Sequence, residues 1–160
     1  MTGKDVAMAA ATLANGGVCP ITQDRVMSQK TVRNVLPVVQ TAGMYNSSGQ
    51  FFQEIGLPSK SGVGGGILLI VPQLMGICIF SPRLDLVGNS VRGIEVARKI
   101  TKKYLVHAFD GTMTDTDRID PKLPIARWRA NSCGEAIWAA SNGDVRTCLL
   151  YTSPSPRDQR

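Results

Sequence analysis

Histidine, paired cysteines and long apolar runs are scarce in this sequence of 160 residues. The single histidine, His107, cannot complete a zinc site by itself, and none of the four cysteines forms a CxxC pair. A Ser-His-Asp triad would have to use His107, and no serine lies in a nucleophile-elbow motif that would accompany it. No apolar run reaches the roughly 18 residues that a transmembrane helix needs. Zinc binding, histidine-based catalysis and a membrane-spanning helix are therefore not expected.

Aromatic residues and concentrated charge are also sparse. Aromatic side chains make up 6% of the chain, and 18 basic against 12 acidic residues give a net charge of +6 without a basic stripe. We therefore expect no nucleic-acid partner and no membrane partner. The Ala-rich N-terminus lacks the basic start and the Leu-rich core of a signal peptide. With 43% hydrophobic residues the chain can build a core, and its length fits one domain, or one domain and the beginning of another.

Two helices are predicted in the first part of the chain. Asp5 is placed to cap a short Ala-rich helix that ends near Gly16. Ser28 precedes a second pattern of apolar residues at helical spacing, and this pattern continues across Pro37. An interior proline removes a helical hydrogen bond, so a bend is expected just before it.

Two apolar runs, at residues 67–71 and 77–80, predict strands. Neither run alternates with polar residues, which is typical of strands covered on both faces, and the short link between them favours antiparallel neighbours. A further helix is predicted to begin at Asn89 or Ser90, with an apolar face made of Val91, Ile94, Ala97 and Ile100. The predicted fold class is α/β (α+β), with helices packed on an antiparallel sheet that resembles the end of a larger one.

The sequence Lys60-Ser61-Gly62, which is predicted to open the buried apolar strand, has the shape of the Lys-Thr-Gly element of serine acyl-enzymes. In such an element the cation holds an anionic substrate group and the hydroxyl donates a hydrogen bond, while backbone N–H groups face a developing oxyanion. The partner motif, Ser-x-x-Lys, supplies the nucleophile and its activating amine. No serine in this sequence has lysine three positions later. A β-lactamase or penicillin-binding type of hydrolase is one interpretation of the strand.

Longer segments resemble one family closely. MAAATLANGGVCPITQDRV, AGMYNSSGQFFQEIGLPSKSGVGGGILLIVP and SPRLDLVGNSVRGIEVARKI are similar to the C-terminal part of the serine-dependent glutaminases. The resemblance covers about residues 4–110. It implies an incomplete β-lactamase/transpeptidase-like fold and, for the parent protein, hydrolysis of L-glutamine to L-glutamate and ammonia through a serine acyl-enzyme. It implies no metal or organic cofactor, and a homo-oligomeric parent, expected to be a tetramer.

The resemblance assigns roles to two residues. Tyr45 matches the tyrosine of the GMY-x-x-SG motif, which implies a catalytic role as general base or proton relay and a contact with substrate. Val63 matches the valine of KSGV, whose backbone N–H contributes to the oxyanion hole and binds glutamine. Lys60 and Ser61 are secondary supports. Without the resemblance, the favoured interpretations are a packed aromatic residue for Tyr45 and the first residue of a strand for Val63.

The domain organisation combines this resemblance with the sequence that follows it, where a polar stretch is typical of a linker and AIWAASNGDV resembles the first helix and turn of an ankyrin repeat. Residues 1–110 are expected to end a glutaminase catalytic domain, 111–130 to form a linker, and 131–147 to begin an ankyrin-like repeat, as in animal kidney-type glutaminases. Residues 148–160 are expected to be a disordered tail of non-native sequence. The ankyrin likeness favours a mitochondrial parent, and a prokaryote-like parent would be cytoplasmic. Without the nucleophile the chain is expected to be inactive alone, and a non-catalytic interaction or oligomerisation isoform is a further interpretation.

Overall fold

The computed structural model describes residues 2–112 and 117–122. The chain divides into two units, and Met1–Pro121 forms the first, which contains all described residues except Lys122. The segments expected to be an ankyrin-like repeat and a tail lie outside the described residues. The main elements, in chain order, are α1 (Gly3–Ala14), α2 (Gln29–Ala42), α3 (Ser48–Ile55), β1 (Ser59–Gly62), β2 (Gly66–Val71), β3 (Met75–Phe80) and α4 (Val91–Lys103).

The sheet of the described part has the order β1-β2-β3, and both pairs are antiparallel. The two apolar runs form β2 and β3 as predicted, with Gly66 opposite Phe80 and Val71 opposite Met75. Strand β2 is covered on both faces, which confirms the prediction for that strand. The same prediction is wrong for β3, which is only half-buried because it forms one edge of the described sheet.

Alternate residues of β2 enter two separate hydrophobic cores. Ile67, Leu69 and Val71 pack in a cluster with side chains of α3 and α4. Leu68 and Ile70 pack on the opposite face with side chains of α1 and α2. The continuous apolar run therefore reflects a strand between two helical layers, because period-two alternation sends its residues to both sides.

Helix α1 crosses the sheet at very close range. A Cβ atom built on Gly76 of β3 would lie 2.0 Å from the backbone nitrogen of Ala11. The cap of this helix differs from the prediction, because Thr2 is the N-cap and Asp5 is the third helical residue. The Asp5 carboxylate accepts from the Thr2 backbone N–H, and the Thr2 hydroxyl accepts from the Asp5 N–H, which together form a capping box. Hydrogen bonds from Thr2 lower the pKa of Asp5.

Ser90, one of the two residues predicted to cap α4, is its N-cap, and its hydroxyl accepts from the Gly93 backbone N–H. The buried residues of α4 are Gly93, Ala97 and Thr101. The prediction that Val91 faces the core is wrong, since Val91 is 52% exposed. Two residues turn a helix by about 200°, so Val91 lies on the side opposite Gly93.

The described residues that follow α4 fold back onto it. Ile119 bridges to Tyr104, and Arg118 donates to the buried Asp110 carboxylate at 2.6 Å. The backbone N–H of Ile119 also donates to the carbonyl of Lys103. Within residues 2–112 and 117–122, no helix is long and apolar enough to cross a membrane.

Candidate active site

The first feature of the candidate site is the backbone of Tyr45. This residue has a φ of 53°, in the left-handed region that favours glycine. It opens a short 3₁₀ turn, Tyr45–Ser47, between α2 and α3. For a bulky side chain this conformation costs about 1–3 kcal/mol and persists only where surrounding contacts impose it. Backbone strain of this kind clusters at functional sites.

The phenol of Tyr45 reaches the first strand of the sheet. Its hydroxyl lies 3.5 Å from the carbonyl oxygen of Ser61 and donates to it. The ammonium of Lys60 lies 4.8 Å from the centre of the Tyr45 ring and also donates to the Ser61 carbonyl. Three predicted residues therefore meet at one point, with a cation beside a phenol that is 37% exposed to solvent.

Lys60, Ser61 and Gly62 do not open β2 as the sequence pattern suggested. They lie in a separate strand, β1, which pairs with β2 through Ser61 opposite Ile67. Alternate residues of β1 are buried, so Lys60 lies on the exposed side while Ser61 is almost fully enclosed. The Ser61 hydroxyl is buried without a hydrogen-bond partner among the described residues.

Val63 lies in the hairpin loop between β1 and β2. Gly62 pairs with Gly66, which leaves a three-residue loop, and Gly65 donates its N–H to the Gly62 carbonyl at 2.9 Å. Gly65 has a φ of 94°, as the last residue of such a loop requires. The Val63 side chain is 78% exposed, so packing does not explain the residue. Val63 is thus a loop residue at the end of β1, two positions after Ser61.

Close packing under Tyr45 depends on Gly43. A Cβ atom there would lie 1.8 Å from the carbonyl oxygen of Ser59 and 2.2 Å from that of Val39. The Gly43 carbonyl accepts from the Ser61 backbone N–H at 2.9 Å. The end of α2 is therefore pressed directly against β1, two residues before Tyr45. The glycine of the Gly-Met-Tyr sequence is explained by this approach.

A second loop flanks the Tyr45 ring. One oxygen of the Asp85 carboxylate accepts from three consecutive backbone N–H groups, those of Val87, Gly88 and Asn89. Gly88 has a φ of 103°, and a Cβ atom there would lie 3.6 Å from the Tyr45 ring. Sequence reasoning placed only the start of α4 in this segment. Its Asp-x-x-Gly-Asn spacing is the signal of an Asx-type turn, but the contact with Tyr45 bridges more than 40 residues of sequence.

Another concave region lies away from these residues. It is a cleft of about 500 Å³ with Gln53, His107 and Phe109 in its wall, and none of the four predicted site residues lines it. Glu54, at its rim, accepts from Arg98 at 2.7 Å, and this hydrogen bond lowers the pKa of the Glu54 carboxyl. Across the described ranges, no group of three or more His, Cys, Asp or Glu side chains is arranged to hold a metal ion.

The fold and this arrangement define a class of protein. Helices on both sides of an antiparallel sheet are the architecture of the β-lactamase-like fold, and the solved structures that share this fold with the chain are glutaminases. Residues 1–109 match the family model described as Glutaminase. The chain belongs to the glutaminase family.

Individual relatives agree with this assignment. The mitochondrial liver isoform of glutaminase from Mus musculus is 42% identical over 145 residues, which are 91% of this chain and 24% of that protein. A glutaminase from Nostoc sp. is 47% identical over 106 residues, or 66% of this chain and 32% of that protein. The chain thus spans about a quarter to a third of the length of these relatives.

Solved structures show the same relationship. A structure of Mglu in its tris and glutamate form has a TM-score of 0.66 and 41% identity, covering 72% of this chain and 25% of that one. The probable glutaminase YbaS has a TM-score of 0.62 and 46% identity, covering 64% of this chain and 33% of that one. The resemblance expected from the sequence is therefore confirmed.

Proposed function

We propose that this chain is part of a glutaminase that hydrolyses L-glutamine to L-glutamate and ammonia through a serine acyl-enzyme. The observation that carries the proposal is the Tyr45 hydroxyl held against the carbonyl of Ser61 beside the Lys60 ammonium, in a chain of the glutaminase family. The names of the relatives support glutamine as substrate. The nucleophile is supplied by a Ser-x-x-Lys element outside these 160 residues.

In the proposed reaction the serine oxygen attacks the side-chain amide carbon of glutamine. Tyr45 relays the serine proton toward the amide nitrogen, the carbon–nitrogen bond breaks, and ammonia leaves. Water then attacks the ester carbon and returns a proton to the serine oxygen, which releases glutamate. The backbone N–H of Val63, in the exposed loop after β1, donates to the oxyanion of both tetrahedral intermediates.

The setting of this reaction is also part of the proposal. The parent is a homo-oligomer, expected to be a tetramer, in which residues 1–110 end the catalytic domain and 111–130 link it to an ankyrin-like segment at 131–147. Residues 148–160 are proposed to be non-native sequence. A mitochondrial location is supported by the name of the Mus musculus relative. The bacterial relatives support the alternative of a cytoplasmic parent.

The test of the catalytic proposal compares the chain with its parent. The 160-residue chain alone is expected to release no ammonia from glutamine, whereas the polypeptide extended to include Ser-x-x-Lys is expected to be active. In the active form, Tyr45→Phe should lower kcat about 100-fold or more, because a proton relay is lost. Tyr104→Phe is the matched control, since Tyr104 packs at the end of α4. Full activity in Tyr45→Phe would contradict the assigned role.

The role of the Val63 N–H is tested by Val63→Pro. Proline removes the donor and suits the first position of a tight turn, so the loop is expected to form. Loss of one oxyanion donor lowers kcat about 100- to 1000-fold. Val63→Ala keeps the donor and removes only an exposed side chain, so it should retain most of the activity. Equal losses in both variants would show that the side chain, not the N–H group, is needed.

A further inference from the structure

The conformation of Tyr45 depends on two peptide planes, one on each side of the residue. The plane before it contains the Met44 carbonyl, and the plane after it contains the Tyr45 carbonyl. Fixing both planes sets φ and ψ of Tyr45, and therefore the direction in which its phenol leaves the backbone. A residue with a φ of 53° needs such restraint, since relaxed tyrosine prefers negative φ.

The second plane is held locally by Ser48, the first residue of α3. Its buried hydroxyl donates to the Tyr45 carbonyl at 2.7 Å and accepts from the Met44 backbone N–H at 2.9 Å. Both contacts lie within the same short segment. Ser48 therefore stabilises the local turn but does not tie it to the rest of the site.

The first plane is held from a distant part of the chain. Asn89 is fully buried, and its side-chain amide donates to the Met44 carbonyl at 3.2 Å. Its own backbone N–H is bound by the Asp85 carboxylate, and the next residue, Ser90, caps α4. The amide oxygen of Asn89 has no hydrogen-bond partner among the described residues. The amide nitrogen is therefore the atom through which the Asn89 side chain holds the Met44 carbonyl.

We propose that Asn89 is a positioning residue for Tyr45. Its amide holds the Met44–Tyr45 peptide plane, so that the phenol points at the Ser61 carbonyl and the Lys60 ammonium. The Asp85 loop holds Asn89 in turn and connects Tyr45 to the start of α4. The consequence for catalysis rests on the proposed glutaminase function, whereas the effect on the geometry of Tyr45 does not.

The test uses the active parent polypeptide with Asn89→Asp and Asn89→Leu. An ionised aspartate cannot donate to the Met44 carbonyl, but a protonated one can. We therefore expect kcat of Asn89→Asp to fall about 10- to 100-fold at neutral pH, since small misplacements of a catalytic group have effects of this size. The ratio of its kcat to that of the wild type should rise as the pH falls. Burial raises the pKa of an introduced aspartate, which brings this recovery into an accessible range.

Asn89→Leu removes the donor at every pH, so its activity ratio to the wild type should stay low and flat. The other titratable groups beside position 89, Asp85 and Tyr45, are present in all the proteins, so the ratio cancels their contribution. Asn15→Asp is the matched control, because the exposed Asn15 amide also donates to a backbone carbonyl, that of Val18. Its activity should equal that of the wild type.

A readout independent of activity follows the phenol itself. With 3-fluorotyrosine incorporated, the fluorine signal of Tyr45 is assigned by its loss in Tyr45→Phe, and it should shift in both Asn89 variants and not in Asn15→Asp. If Tyr45→Phe remains fully active, the catalytic role fails, and the fluorine signal alone decides the positioning. An unchanged Tyr45 signal in Asn89→Asp at neutral pH would overturn the proposal. Where Tyr45→Phe does lower kcat, a kcat ratio of Asn89→Asp to wild type that does not vary with pH would overturn it as well.

Discussion

Gly43→Ala is the substitution whose effect follows most directly from the structure. The new Cβ atom would lie 1.8 Å from the Ser59 carbonyl oxygen and 2.2 Å from that of Val39, where ordinary carbon–oxygen contacts are about 3.3 Å. Both obstacles are backbone atoms, so β1 has to move by more than about 1 Å away from α2. The last turn of α2 has to deform as well, because Val39 lies in it. Overpacking costs about 1–3 kcal/mol. Loss of the hydrogen bond from the Ser61 N–H to the Gly43 carbonyl adds about 1 kcal/mol.

The expected loss of stability is therefore roughly 3 kcal/mol, which lowers Tm by roughly 10–20 °C in a unit of this size. Differential scanning calorimetry of the chain measures it directly. Gly49→Ala is the matched control, since a Cβ atom there meets nothing within 4 Å and the residue lies in α3. Alanine in a helix should raise Tm by about 2–4 °C. If Gly43→Ala and Gly49→Ala had the same Tm, the close contact between α2 and β1 would not exist in solution.

Two further predictions concern Gly88 and Arg98. Gly88→Ala should lower stability by about 1–2 kcal/mol in urea unfolding, because alanine is strained at positive φ. Its Cβ contact with Tyr45 is of ordinary length, so the fluorine signal of Tyr45 should barely move. Arg98→Met removes the partner that lowers the pKa of Glu54. A lowered pKa stabilises the fold above the ordinary value of 4.5, and this stabilisation is lost as the pH falls through the lowered pKa. The urea midpoints of wild type and variant should therefore differ slightly at pH 7 and converge in acid.

A clear experimental result could contradict each of these two predictions. A Gly88→Ala protein as stable as the wild type would mean that the Asp85 loop adopts another backbone conformation. Urea midpoints of Arg98→Met that stay apart equally from pH 7 to pH 3 would show that the ion pair with Glu54 does not carry the effect. The Arg98 and Glu54 side chains are each about one third exposed or more, so only a small difference between the urea midpoints is expected at pH 7.

The elements that sequence reasoning predicted well are those with long apolar patterns. Strands β2 and β3 are continuous apolar runs, and helix α4 repeats apolar residues at helical spacing, so a short window of sequence contains the signal. Strand β1 has four residues, two of them serines, and its burial comes from neighbouring elements. Helix α3 begins Ser48-Gly49, which is typical of a turn, and its buried Phe51 and Ile55 are too few to indicate a period.

The site was predictable only in part for the same reason. Tyr45, Lys60 and Ser61 lie in a motif that can be recognised, and the structure brings their side chains and backbone together. The contribution of Asn89 depends on a hydrogen bond across 45 residues of sequence. Local sequence carries no information on such a contact, because it joins the loop before α4 to the connection between α2 and α3.

Because the backbone at Tyr45 is left-handed, selection for stability and selection for activity should favour different residues at this position. Glycine adopts a φ of 53° without strain, and asparagine does so more readily than tyrosine. A library randomised at this position and sorted only for resistance to unfolding should therefore become enriched in glycine and asparagine. The same library, placed in the parent polypeptide and sorted for the proposed hydrolysis of glutamine, should return tyrosine. Design for thermostability alone at this position would improve folding at the expense of the proposed turnover.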